Sequence, residues 1–250
     1  MRILNLVAGA ALAGALVSAM PAAATSYDGV VDFSFSNPSG PWTYGFGVTG
    51  STFTPYSTTS FLFGSELIWS TGDSQPPFVG QNTSPTPINA ITVWIPAAIL
   101  VLHPGPDTDT IVRFTAPKTG AYDFTGSFEI LDTSPTGVIA EIYQGGTQLY
   151  SQELTGPGAS QTPGGVGGFE IGEGEVLLNA GDTLDFGVNN DGDYAFDTTG
   201  LYPQIFLQDP SGTPEPTTWA LMLIGFGGLG LALRRRAQNP SHTAESWIGA

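Results

Sequence analysis

The densest set of oxygen ligands in the chain is Asn189-Asn190-Asp191-Gly192-Asp193, with Asp197 close behind. Carboxylate and amide oxygens around a turn glycine are the hard donors that calcium prefers, which makes Asn189, Asp191, Asp193 and Asp197 the candidate calcium ligands. The spacing departs from the EF-hand loop, because Gly187 falls where the first aspartate belongs and Thr198 where the closing glutamate belongs. The same residues suit a hydrophilic hairpin tip, where Asn and Asp supply turn geometry. Asp107-Thr108-Asp109 is a smaller cluster of this kind. A second chemistry rests on aromatic rings. Trp42 and Tyr44 stand beside Gly and Pro, Trp69 closes an apolar run ahead of Ser70-Thr71-Gly72, and Tyr194 follows the acidic turn. Sugars lay their C–H faces on exposed rings while nearby Asp or Asn accepts hydroxyl protons, so Trp42, Tyr44, Trp69 and Tyr194 are the candidate glycan platform. Core packing is the competing use of such rings.

Catalytic sets are incomplete by comparison. The chain has no cysteine and 2 histidines, His103 and His242, which leaves no tetrahedral zinc site and no multi-histidine metal centre in the body. A Ser-His-Asp triad could be built only on His103, within Leu102-His103-Pro104-Gly105-Pro106, and no Gly-x-Ser-x-Gly elbow accompanies it. That histidine reads as a turn residue at a strand end. A glycosidase needs two opposed carboxylates, and an acidic body offers many pairs without selecting one. No catalytic residue is assigned.

Composition narrows the partners. Between Thr25 and Thr213 the cations are Arg113 and Lys118 against twenty carboxylates, a net charge of about −18. Such a surface repels nucleic acid and anionic lipid, whose binding depends on lysine and arginine. It also keeps a protein soluble and draws divalent cations. A body of about 190 residues can bury one core without disulfide staples.

The elements that must position these residues are short strands. Gly, Pro, Ser, Thr and Asn interrupt the chain every few residues, and no amphipathic helix stands out between them. Period-two alternation predicts strands over Val31–Ser36, Ala121–Thr125, Phe128–Ile130 and Thr183–Val188. More continuous apolar runs at Ile91–Ile95, Ile99–Leu102 and Ile111–Phe114 predict strands buried between two layers. Val138–Tyr143, Gln148–Leu154, Glu175–Leu178 and Pro203–Leu207 complete the set, while the Gly-rich Gln161–Gly168 predicts a loop. The expected fold is all-β: an antiparallel β-sandwich, jelly roll-like. Ala116-Pro117-Lys118-Thr119-Gly120-Ala121-Tyr122-Asp123-Phe124 and Leu178-Asn179-Ala180-Gly181-Asp182-Thr183-Leu184-Asp185-Phe186 each place a tight turn before an alternating strand. Both resemble the turn-and-strand units of galactose-binding-like jelly rolls and carbohydrate-binding modules.

The two ends read as addresses. Arg2, the apolar run Ile3–Val17 and Ala22-Ala23-Ala24 form an N-terminal signal peptide over 1–24. At the other end Pro214-Glu215-Pro216 holds the backbone extended. Trp219 to Leu233 follows, apolar on every face, and then Arg234-Arg235-Arg236, which hold that end on the cytoplasmic side. Gly225-x-Gly227-x-x-Gly230 matches the dinucleotide fingerprint only formally, because the fingerprint requires a preceding strand, a helix opening at the glycines and an acidic residue about 20 positions later within a globular unit. The order of parts resembles the PEP-CTERM sorting tail. That resemblance implies that an exosortase, an integral-membrane transpeptidase, reads Pro214, Glu215 and Pro216 as the recognition element, with Trp219 a further part of the sorting motif and Arg234, Arg235 and Arg236 the retention element.

The expected organisation is a signal peptide over 1–24, a secreted sandwich over 25–210, a linker over 211–213, the sorting tail over 214–236 with a single transmembrane helix, and a cytoplasmic extension over 237–250. The expected function is a non-catalytic module associating with exopolysaccharide at the cell surface or in the extracellular matrix. A self-associating structural matrix protein is the alternative, and a glycan-active hydrolase a further one. Expected partners are the exosortase and polysaccharide, without nucleic acid, and with the membrane only through the precursor tail. No cofactor is expected beyond candidate calcium.

Overall fold

The computed structural model describes residues 25–72, 75–156, 164–208, 222–226, 228 and 234. The signal peptide, the linker, the Pro-Glu-Pro triplet and the extension over 237–250 lie outside them. Strands in the body are β1 Thr25–Asp28, β2 Trp42–Val48, β3 Thr52–Pro55, β4 Thr58–Leu62, β5 Glu66–Ser70, β6 Phe78–Asn82, β7 Ile88–Ala90 and β8 Val93–Ile95. They continue as β9 Leu100–His103, β10 Asp109–Thr115, β11 Gly120–Ile130, β12 Val138–Gln144, β13 Thr147–Leu154, β14 Gly164–Leu178, β15 Thr183–Asn189 and β16 Thr199–Gln208. In the tail, Met222–Phe226 is helical and exposed. Among the described residues no helix is long and apolar enough to cross a membrane.

Two antiparallel sheets make the sandwich, as the alternation predicts. One is 8-stranded, ordered β14-β11-β16-β9-β6-β5-β4 with β1 also on β16; the other is 6-stranded, ordered β13-β12-β15-β10-β2-β3. In β11 the period-two pattern buries Tyr122, Phe124, Phe128 and Ile130, and in β12 it buries Val138, Ala140 and Ile142. The β11 side chains meet those of β12 together with Trp42, Phe114 and Phe186, all from the 6-stranded sheet, in one aromatic-rich core. Trp42 and Phe114 lie 5.2 Å apart, and Phe124 and Phe186 6.0 Å apart edge to face, a favoured arrangement for ring quadrupoles. The two turn signatures sit side by side. Ala116 N–H donates to the Asp182 carbonyl at 2.8 Å, Gly181 N–H to that of Ala116 at 2.9 Å, and Ala180 N–H to Thr119 Oγ1 at 3.0 Å.

Three expectations are corrected. Val31–Ser36 is a turn and bend, not a strand, with Val31 and Phe35 exposed and Phe33 buried. Its polar side chains capture the backbone: the Asp28 carboxylate accepts Val30 N–H at 2.9 Å and Val31 N–H at 3.1 Å, and the Ser39 hydroxyl donates to the Asp32 carbonyl at 2.6 Å. Ile91–Ile95 is not a strand between layers. Ile88 pairs with Ile95 and Ala90 with Val93, so Ile91 sits at the exposed tip of a two-residue hairpin with φ 46°. Gly164–Gly168 belongs to β14 rather than to a loop, with Gly168 opposite Ser127 and Gly167 opposite Phe128. A Cβ on Gly167 would stand 2.6 Å from the Tyr150 hydroxyl, so the glycine permits close strand approach.

A second, smaller apolar cluster covers the outer face of the larger sheet. Strand alternation sends Leu67, Val79 and Leu102 inward and Ile68, Phe78 and Val101 outward. The β7–β8 hairpin lays Ile88 and Ile95 over these outward residues, with Leu131 beside them.

Candidate functional site

Three of the four aromatics predicted to meet sugar are interior. Trp42 and Tyr44 are 0% exposed and Trp69 is 7% exposed, so none offers a ring face to a ligand. Trp42 and Tyr44 alternate inward along β2, and Trp69 faces inward from β5. Both indole N–H groups are used inside: Trp42 Nε1 donates to the Asp32 carboxylate at 3.1 Å and Trp69 Nε1 to the Ser34 carbonyl at 2.9 Å. Tyr194 is the exception, 39% exposed.

The candidate calcium ligands make turns. Asn189 donates from Nδ2 to the buried Asp109 carboxylate at 2.7 Å, and its Oδ1 accepts Asp191 N–H at 3.0 Å. Asp193 Oδ1 accepts Ala195 N–H at 3.0 Å. Asp197 is buried, and its Oδ1 accepts Thr136 N–H and Gly137 N–H, each at 3.1 Å. Burial pushes the Asp197 carboxyl up to about 6 against these donors. Among the described residues no three His, Asp or Glu side chains gather as a metal-binding group.

What this loop does is hold an aromatic ring at a cavity mouth. The Thr136 hydroxyl lies 2.6 Å from the Asp193 carbonyl, 2.8 Å from the Ala195 carbonyl and 3.0 Å from the Asp197 carboxylate, which fixes the turn around Phe196. Phe196 is 49% exposed and lines an open cavity of about 280 Å³ on the outer face of the larger sheet. The lining also includes Phe63, 55% exposed, at the tip joining β4 to β5. Phe196 has φ 63° and Phe63 φ 47°. Left-handed backbone at a bulky non-glycine residue costs on the order of 1 kcal/mol or more and is kept only where the surroundings impose it.

Three titratable groups line the same cavity: Glu66, His103 and Asp132. Glu66 opens β5 and projects from its outward side with Ile68. It is completely buried, and neither carboxyl oxygen has a hydrogen-bond partner. A Cβ on Gly80 would stand 3.0 Å from Glu66 Oε1, so the glycine in β6 leaves the room that the carboxyl occupies. Burial pushes Glu66 up to about 8, which leaves it largely protonated at neutral pH. His103 ends β9, as the sequence suggests for a strand-end histidine. Its Nδ1 lies 2.9 Å from the Pro104 carbonyl; a carbonyl only accepts, so Nδ1 carries the proton and Nε2 is the acceptor of the neutral ring. Burial lowers His103, opposed by that bond. Asp132 is raised by burial, opposed by bonds from Ser134, Thr92 and Thr133. The His103 ring lies tilted against Phe78 at 5.5 Å and meets Tyr194 edge-on at 6.4 Å, which ties the acidic turn to the cavity wall.

Residues 213–236 match the model of the PEP-CTERM protein-sorting motif. The match spans the predicted sorting residues, of which Pro214, Glu215, Pro216, Trp219, Arg235 and Arg236 lie outside the described residues and Arg234 is helical and exposed. The motif implies an exported protein with a membrane-anchored C-terminal sorting tail, sorted by an exosortase. No curated protein matches the chain. Among solved structures it is similar to a CBM51 from Clostridium perfringens GH95 in complex with methyl-galactose, at 12% identity and TM-score 0.31 over 61% of this chain and 94% of that one. It is also similar to a CBM35 from Paenibacillus barcinonensis, at 13% identity and TM-score 0.25 over 74% and 98%. A third is the catalytic domain of a GH87 alpha-1,3-glucanase in complex with nigerose, at 12% identity and TM-score 0.26 over 71% of this chain and 30% of that one.

Sequence reasoning missed Glu66, Phe63 and Phe196. A signal for the first was present, since Glu66 is a lone carboxylate at the head of the apolar Leu67-Ile68-Trp69 run. Phe63 precedes Gly64 and Phe196 sits between Ala195 and Asp197, positions at turns where an aromatic is poorly placed to enter a core.

Proposed function

We propose that the chain is an exported, non-catalytic module that associates with exopolysaccharide at the cell surface or in the extracellular matrix. The observation that carries the reading is one cavity lined by two exposed phenylalanines and by the unpartnered, buried Glu66. A sugar presents an apolar C–H face and a hydroxyl-rich edge, and such a cavity meets both. Affinity electrophoresis through gels containing extracellular polysaccharide tests this. The chain is retarded, and a Phe63→Ala/Phe196→Ala variant of unchanged melting temperature is not. Equal mobility of the two in every polysaccharide removes the proposal.

Delivery rests on the tail. Replacing Pro214 and Pro216 by alanine leaves the precursor uncut, read as intact mass, and normal cleavage of that variant removes the assignment of the recognition element. Hydrolysis by Glu66 with Asp132 is the competing use of the same cavity. Release of reducing ends from a glycan that the chain binds, lost in Glu66→Gln, decides for that use.

A further inference from the structure

The proposed glycan site carries information about which sugars it accepts. Among the described residues its polar side chains are Glu66, a carboxyl with two free oxygens, His103, a neutral imidazole with Nε2 as acceptor, the Asp132 carboxylate and the Thr198 hydroxyl. No cation lines it. Arg113 is held elsewhere, donating from Nε at 2.6 Å and Nη2 at 2.8 Å to Asp185 on the 6-stranded sheet while Phe53 covers its guanidinium at 4.0 Å. The remaining walls include Leu62, Phe78, Val93 and Ile95.

From this arrangement we infer that the cavity selects an uncharged sugar residue and turns away uronic, sulfated and phosphorylated ones. The inference rests on the glycan reading above. An anionic substituent entering the cavity would lose its hydration and meet no cationic partner among the described lining residues while facing the acidic Asp132, an uncompensated buried charge. A neutral hydroxyl instead donates to His103 Nε2 or to Glu66. A carboxyl that is largely protonated can also donate one bond in return. Phe63 and Phe196 then flank the C–H face of the ring.

The body's general negative charge would also repel anionic glycans, and salt separates the two causes. At about 1 M ionic strength the screening length falls to roughly 3 Å, which removes long-range repulsion but not desolvation inside the cavity.

The test measures binding of the full chain, solubilised in detergent, at low salt and at about 1 M salt. The probes are dextran, galactan and mannan against dextran sulfate, polygalacturonate and alginate. The expected result is at least tenfold tighter binding to one or more neutral glycans than to any charged one, with the gap persisting in high salt. Glu66→Leu weakens the neutral interaction at least tenfold, and Glu66→Gln, which keeps the hydrogen-bonding shape, restores most of it. Charged glycans binding as well as neutral ones in high salt overturn the selectivity while leaving the glycan reading intact. So does a Glu66→Leu variant that binds like the parent. Binding to none of the glycans, before or after substitution, removes the glycan reading itself.

Discussion

The two faces of the larger sheet use the same kinds of residue to opposite ends. Its inner face meets the 6-stranded sheet across a core where Trp42, Phe114, Phe124 and Phe186 are buried and in ring contact. Its outer face is covered only in part by the β7–β8 hairpin, and there Phe63 and Phe196 stay exposed around Glu66, whose oxygens are unpartnered. Buried polar groups are normally hydrogen-bonded, because an unsatisfied one costs about 1–3 kcal/mol. The inner core stabilises the molecule, although Tyr44 Oη is unpartnered there, whereas the outer face combines a carboxyl unpartnered at both oxygens with strained backbone.

Substitutions break this contrast in order of size. Trp42→Ala opens a void at the centre of the inner core and should lower the unfolding free energy by about 4 kcal/mol, measured by urea denaturation. Glu66→Gln should do the reverse. Burial raises the folded carboxyl to about 8 from its ordinary value of 4.5, so between these values the folded state holds a proton that the unfolded chain has lost. Stability is then full below about 4.5, falls as pH rises, and levels off above about 8. Of the groups sharing the cavity, His103 is neutral and Asp132 is acidic, so neither holds Glu66 ionised. A pKa unit is about 1.4 kcal/mol; after a discount for the amide left unpaired, the variant should gain about 2 kcal/mol at pH 8. The gain should shrink as pH falls and turn into a small loss near pH 4.5, where both side chains are neutral and the cost of the unpaired amide remains, read from thermal unfolding across that range.

The next two effects are smaller and fall on binding. Phe196→Ala removes a ring that supports no core, so glycan affinity should drop at least tenfold, about 1.4 kcal/mol, while the melting temperature stays put. A large fall in melting temperature would place Phe196 in the core's economy instead. Thr136→Val releases the turn that carries Phe196 and should weaken binding about threefold, with about 1 kcal/mol of stability lost.

The sandwich was legible because β11 and β12 obey a strict period of two, and because two Gly-containing turns announce strands on either side. Val31–Ser36 shows where periodicity misleads, since Asp28 and Ser39 draw the same backbone into a turn. Gly164–Gly168 shows the converse: a Gly-rich run forms ladder bonds when a neighbouring ring leaves no room for a side chain. The site was less legible, because type and local neighbours do not say which way a ring faces. Trp42 and Tyr44 stand beside turn residues yet alternate into the core, whereas Tyr194 follows a turn that projects outward. The cavity also joins β5, β9 and the segment after β11 with the 190s turn, groups far apart in the chain that only the fold assembles.

Mapping backbone amide shifts during titration with polysaccharide-derived oligosaccharides tests the central claim most directly. The account predicts that the shifts cluster at Leu62–Glu66, Phe78, Val93–Ile95, His103 and Tyr194–Thr198, and that the outer face of the 6-stranded sheet stays silent. Shifts confined to that other face, around Arg113 and Tyr143, would contradict it.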